Sequence, residues 1–159
     1  MAEFSRYEIY MILNQPRPLW LSGIDLSGSD LRGANLEDAT LIGANLNKTN
    51  LTGANLAGAN LGGCHLEGAI LVGADLKHAR MRGTTLLGAD MREAVLIEAD
   101  MVEANLSETN LVGANLASVD LTNANLTNAD LSGANATDYK LSRAKSLIGA
   151  ILPDGTIHD

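Results

Sequence analysis

The residues able to do chemistry are few and scattered. Cys64 is the one cysteine, His65 follows it directly, and His78 and His158 stand alone. A reactive thiol needs a neighbouring base or cation to form its thiolate. Consecutive side chains on an extended backbone point to opposite sides, so His65 faces away from Cys64, which reads as inert packing. A metal site needs three or four converging ligands, and no such set is spaced along this chain. No catalytic residue, metal or cofactor is therefore expected. A single cysteine also excludes an internal disulfide framework.

The carboxylates remain. Between positions 90 and 138 stand Asp90, Glu93, Glu98, Asp100, Glu103, Glu108, Asp120, Asp130 and Asp138, against one base, Arg92. This stretch alone accounts for the chain's net charge of −8, and the remainder balances to zero. A surface of that sign repels phosphates, so direct nucleic-acid binding is not expected. Recognition of a protein is the expected use.

The elements that position these residues follow from a period of five. Every fifth residue from Leu21 to Leu141 is Leu, except for Met81, Met91, Met101 and Ala136. A small residue, usually Ala, sits two places before, Asn or Asp lies between, and Gly often follows two places after (Gly33, Gly43, Gly53). On a helix of ~3.6 residues per turn, steps of five rotate each Leu by about 140° and leave no apolar stripe. On an uninterrupted strand an odd period exposes every second Leu. Ala and Leu share an inner face only if the chain turns once per repeat, and successive turns of one hand wind a solenoid. Aromatics are 3% of 159 residues, so the core is built almost without rings.

The run Ala34-Asn35-Leu36, Ala74-Asp75-Leu76, Ala124-Asn125-Leu126 resembles the pentapeptide repeat family, whose motif is A(D/N)LXX. The resemblance covers residues 19–145. It implies an all-β solenoid, a right-handed quadrilateral β-helix of about six coils with four repeats per coil. At ~4.8 Å per coil, that is a rod roughly 30 Å long. Ala fits the narrow lumen where a larger group would overpack it. Asn side chains one coil apart are expected to form amide ladders, as in Asn35 over Asn55, Asn105 over Asn125 and Asn115 over Asn135.

Three segments follow. Residues 1–18 form a short N-terminal capping helix and linker, with Phe4, Tyr7 and Met11 at helical spacing and Ile12 nearby, ended by Pro16 and Pro18. Residues 19–145 form the β-helix. Residues 146–159, where the phase breaks, form a C-terminal cap or dimerisation tail with a turn at Pro153-Asp154-Gly155. The chain is thus expected as a monomer or an end-to-end homodimer. No apolar run approaches the ~18 residues that span a bilayer, and the start lacks the pattern of a secretory signal, so a cytoplasmic protein without membrane contact is expected.

On the outside, Glu93, Glu98, Glu103 and Glu108 fall in four consecutive repeats, which places them on four different sides, as a ring. Arg80, Asp100, Asp120 and Lys140 share a column, which pairs Arg80 with Asp100 and Asp120 with Lys140 and sets Asp100 against Asp120. Val95, Ile97 and Val102 are outward apolar positions near the ring. The candidate interaction surface is thus Asp90, Glu93, Val95, Ile97, Glu98, Asp100, Val102, Glu103, Glu108 and Asp120. The expected function is a non-catalytic structural or protein-interaction module, with an unidentified protein partner and a regulatory role by analogy with relatives. The alternative implied by the resemblance is a DNA mimic acting on DNA gyrase, as several family members do. Duplex DNA carries about one charge per 1.7 Å of axis, so a rod of this length would need about eighteen charges along one side. A ring of carboxylates fits that poorly.

Overall fold

The computed structural model describes residues 4–159; Met1, Ala2 and Glu3, the opening of the segment assigned to the cap, lie outside the described residues. Each repeat is a short extended piece closed by one turn. In the turn Leu31-Arg32-Gly33-Ala34, Ala34 N–H donates to the Leu31 carbonyl at 3.0 Å. Its third residue, Gly33, has φ +64°, as a type II turn requires. Every fifth position from 23 to 133 repeats this, with φ between +54° and +71°. Thirteen of these positions are glycine, which enters that region without a Cβ clash, and ten are not.

Asn or Asp before Leu has a local task. Its Oδ1 accepts from the backbone N–H two residues on: Asn50 from Thr52 at 3.1 Å, Asn115 from Ala117 at 3.1 Å, Asp120 from Thr122 at 3.0 Å. Sixteen repeats make this bond. It occupies a donor that the inter-coil ladder leaves over. The expected amide ladders are the lesser part. Asn125 donates to Asn105 at 3.4 Å and Asn135 to Asn115 at 3.2 Å, whereas Asn55 donates to Glu37 instead of Asn35.

Parallel bridges join residues twenty apart, as in Asn35, Asn55, Asp75, Val95, Asn115 and Asn135. Four repeats therefore complete a coil with four faces. Three backbone bonds tie each face to the next coil: Leu31 N–H to Asn50 O (2.8 Å), Asn50 N–H to Ser29 O (2.9 Å), and Gly33 N–H to Thr52 O (2.9 Å). The lumen is filled by Leu36, Leu56, Leu76, Leu96 and Leu116 with Ala54, Ala74, Ala94 and Ala114, all essentially inaccessible. Where Thr49, Thr84 and Thr109 replace Ala, their hydroxyls bond to the carbonyls of Leu46, Leu61 and Leu106, which meets the need of a buried polar group.

Helix α1 (Arg6–Leu13) lies against the first coil, begun by Ser5 and Glu8 in a reciprocal capping box. Ile9 is buried and Phe4, Ile12 and Leu13 pack on the core. The expected inner positions Tyr7 and Met11 instead face solvent, 70% and 45% exposed. Two stripes satisfy the helical period here. The aliphatic one turns inward, because the tyrosine hydroxyl retains water on the other. At the far end Tyr139 occupies an Ala position, and a ring does not fit the lumen. The chain leaves the coil as α2 (Asp138–Leu141) with Tyr139 68% exposed. Pairing resumes one residue out of step, with Asn125 against Ser146 and Asp130 against Ile151. Lys140 therefore sits in α2, with no bridge to Asp120, and the expected stacked pair does not form. The tail then turns at Pro153 to Gly155, and Ile157 pairs antiparallel with Ile151.

Candidate protein-interaction surface

The fold sets Glu93, Glu98, Glu103 and Glu108 at the third position of four successive turns, one at each corner of the rod. All four are exposed and left-handed, with φ of +58°, +57°, +62° and +59°. The residues one coil above are Gly73, His78, Gly83 and Gly88, so three of the four glutamates stand beside a bare corner. The result is a collar of carboxylates around the rod.

The other candidates divide by what they touch. Arg92 grips Asp90 through Nε at 2.8 Å and Nη2 at 2.7 Å, and those bonds hold the Asp90 carboxyl below its ordinary range. The one base of the acidic stretch is thereby committed. Asp100 meets Arg82 at 3.6 Å, whereas no ion pair joins it to Arg80, whose backbone it bridges. The cause is local: Asp100 Oδ1 accepts from Val102 N–H at 3.2 Å, which leans the carboxylate toward the corner. Asp100 and Asp120 are bridge partners as expected. Asp120 bonds both the hydroxyl and the N–H of Thr122, which lowers its carboxyl from the ordinary value. Val95 and Ile97 are half-buried. Val102 is 8% exposed and offers a partner almost nothing.

His78 and His65 have partners in space. His78 Nδ1 lies 3.3 Å from Glu98 Oε2. His65 Nδ1 lies 3.7 Å from Glu67, whose Oε1 also accepts from Thr85 Oγ1 at 2.5 Å. The i to i+20 spacing was the signal for the first, and it is usable only once the coil length is known; Glu67 and Thr85 are eighteen apart and carry no such signal. Cys64 Sγ points into the lumen and donates to Leu41 O at 2.7 Å, and burial pushes its thiol up to about 11. No group of three His, Cys, Asp or Glu side chains converges on one point among the described residues. No described helix is long and apolar enough to cross a membrane.

A four-faced coil of twenty residues with inward Leu and Ala and a left-handed residue at each corner defines a solenoid repeat protein. The family model of pentapeptide repeats matches in eight copies, at residues 21–58, 49–86, 79–113 and 109–145. The chain belongs to the pentapeptide repeat family, and its architecture is the right-handed quadrilateral β-helix. Among solved structures it is similar to HetL, a pentapeptide repeat protein involved in heterocyst differentiation regulation from the cyanobacterium Nostoc sp. strain PCC 7120. The identity is 34% over 87% of this chain and 72% of that one, with a TM-score of 0.40. It is similar also to the pentapeptide repeat protein Rfr23 from the cyanobacterium Cyanothece 51142, at 30% identity over 71% and 67% of the two chains, with a TM-score of 0.49. A third is QnrB1, a plasmid-mediated fluoroquinolone resistance protein, at 23% identity over 85% and 78%, with a TM-score of 0.39. No curated protein matches the chain.

Proposed function

We propose that this chain is a non-catalytic, cytoplasmic interaction module: six coils lidded by α1, presenting the collar of Glu93, Glu98, Glu103 and Glu108, with Val95, Ile97, Asp100 and Asp120, to a protein partner. Its effect is regulatory, exerted by binding. The observation that carries this reading is the placement of four consecutive glutamates at a turn position that glycine fills in thirteen of the twenty-three turns. A left-handed L-residue costs roughly 1–2 kcal/mol, and of the four glutamates only Glu98 has an ion-pair partner, His78, among the described residues. The convex outer surface suits a partner that wraps a corner better than a small substrate that needs enclosure. Residues 146–159 serve as the end cap, and as the joint where the chain pairs end to end.

A pull-down from the native host, comparing the wild-type chain with a Glu98→Lys/Glu103→Lys variant of equal thermal stability, tests the collar. Loss of a specific partner in the variant is expected, and equal retention removes the collar from the proposal. A second reading, a DNA mimic acting on gyrase, draws on the adjacent carboxylates of Asp100 and Asp120. A supercoiling assay decides it, since neither inhibition nor protection at micromolar protein discards the mimic.

A further inference from the structure

The first coil presents a backbone edge that each later coil has covered. Within the rod every face meets its neighbour through three bonds. At the top of the face that carries Asp30, the matching groups are Asp30 N–H, Asp30 C=O and Arg32 C=O. None of them has a backbone partner among the described residues. The adjoining groups of Asp25 and the Ser27 carbonyl are in the same state. Helix α1 does not close this side. Between it and the edge lies a cleft of about 570 Å³, with Phe4, Arg6 and Ile9 on one wall and Ser27, Ser29 and Asp30 on the other.

The molecule treats the other end of the same face differently. The column Asp30, Asn50, Ile70, Asp90, Asn110, Asp130 ends at Ile151, where the tail folds back as an extended strand. Gly149 N–H donates to His158 O and His158 N–H to Ala150 O, both at 2.8 Å. On the face beside Asp30, the Arg17 guanidinium caps the Asn35 carbonyl at 2.8 Å. An uncovered edge is a template for strand addition, with main-chain bonds supplying affinity and side-chain pockets supplying selectivity.

We propose that the edge at Asp30 takes up an extended segment of a partner protein as an added strand, its aliphatic side chains against the partly buried Phe4 and a carboxylate against Arg6. The sign follows from the cleft's own charges. Arg32 is bound to Asp30 through Nε at 2.8 Å and Nη2 at 2.6 Å. Arg6 has no ion-pair partner among the described residues and leaves the cleft one positive charge to satisfy. This site lies far along the chain from the collar and does not depend on it: loss of the collar's partner leaves strand uptake intact, and the converse holds.

The test uses the full chain and a labelled hexapeptide alternating valine and glutamate, read by fluorescence anisotropy and by amide hydrogen exchange. In the free protein the Asp30 amide is expected to exchange as an unprotected group. Saturating peptide should slow it about tenfold or more, while Asn50 and Asp90 remain unchanged. N-methylation of the peptide backbone should weaken binding by about tenfold, as expected from lost main-chain bonds. Arg6→Glu places an acid at the first turn of α1, where it suits the helix. It should reverse the preference toward a valine–lysine peptide. An Asp30 amide already protected in the free protein would overturn the proposal, because the edge is then closed by the chain itself or by a second copy. So would binding that leaves Asp30 exchange unchanged, or undiminished binding of the N-methylated peptide.

Discussion

Glu98 holds its Oε2 3.3 Å from Nδ1 of His78, one coil above it at the same corner, and both residues are left-handed, with φ of +57° and +56°. The pair is well exposed, so it adds at most about 1 kcal/mol, while each backbone carries strain that glycine would not. Glu98→Gly should therefore raise stability by about 1 kcal/mol, a gain of roughly 2–4 °C in Tm for a chain of this size. Partner capture should fall in the same variant. A Tm lowered by the substitution would show that the contact with His78 outweighs the strain.

Asn50 tests the local bond of the motif. Its Oδ1 accepts from both the N–H and the hydroxyl of Thr52, at 3.1 and 2.7 Å. Asn50→Ala should cost about 0.5–1.5 kcal/mol, as for a typical internal hydrogen bond. Asn50→Asp keeps the acceptor and should hold stability in denaturant unfolding. If Asp behaves like Ala, the acceptor bond to Thr52 does not carry the stability of this repeat.

Much of this architecture was legible in the spacing, because an odd period and a two-residue apolar pair leave a chain no course except to turn every five residues. The inward place of Cys64 followed from the same rule. Other features were hidden for physical reasons. The bond from Asn50 to Thr52 lies within one repeat and produces no period of its own. The lean of Asp100 toward Arg82, away from Arg80, depends on that same bond at Val102. Glu93 to Glu108 read as a ring, but their strained backbones appeared only with the turn geometry. The one-residue slip after Tyr139 depends on how far a ring is expelled from the lumen, and spacing does not encode that.

Cys64 links pH to stability. Burial pushes its thiol up to about 11 from an ordinary 9.0, so between those values the folded chain retains a proton that the unfolded chain has lost. Stability from this group is complete below pH 9 and declines as pH rises toward 11, by on the order of 2 kcal/mol. Cys64→Ala restores the motif's usual residue and should flatten that alkaline decline relative to wild type. The native thiol should also resist iodoacetamide at neutral pH until the coil opens. Rapid labelling of the folded chain would contradict its place in the lumen.

Packing in the lumen sets the largest expected losses. Leu56 is fully buried, and Leu56→Ala removes its burial and leaves a void that a rigid ladder closes poorly, at about 2–5 kcal/mol. Met81, equally buried at a Leu position, should accept Leu with a change below about 1.5 kcal/mol. Chemical denaturation of the two variants checks the contrast. Equal, small losses at both sites would mean that the coil relaxes around cavities.

Acid should weaken the rod through carboxylates bound to arginine. Bonds from Arg32 hold Asp30 at about 2, and bonds from Arg92 hold Asp90 below its ordinary value. The unfolded chain therefore binds these protons at higher pH than the folded one, and the contribution, complete above about pH 4, is lost as pH falls toward 2. An Arg32→Gln/Arg92→Gln variant should melt below wild type at pH 6, with the gap closing as pH approaches 2. Both pairs lie at the surface, so high salt should narrow the gap at pH 6 as well. Melting curves from pH 6 to 2 at two salt concentrations measure both effects. A gap that stays constant across pH would assign the loss to side-chain packing of the arginines, with no part for their charge.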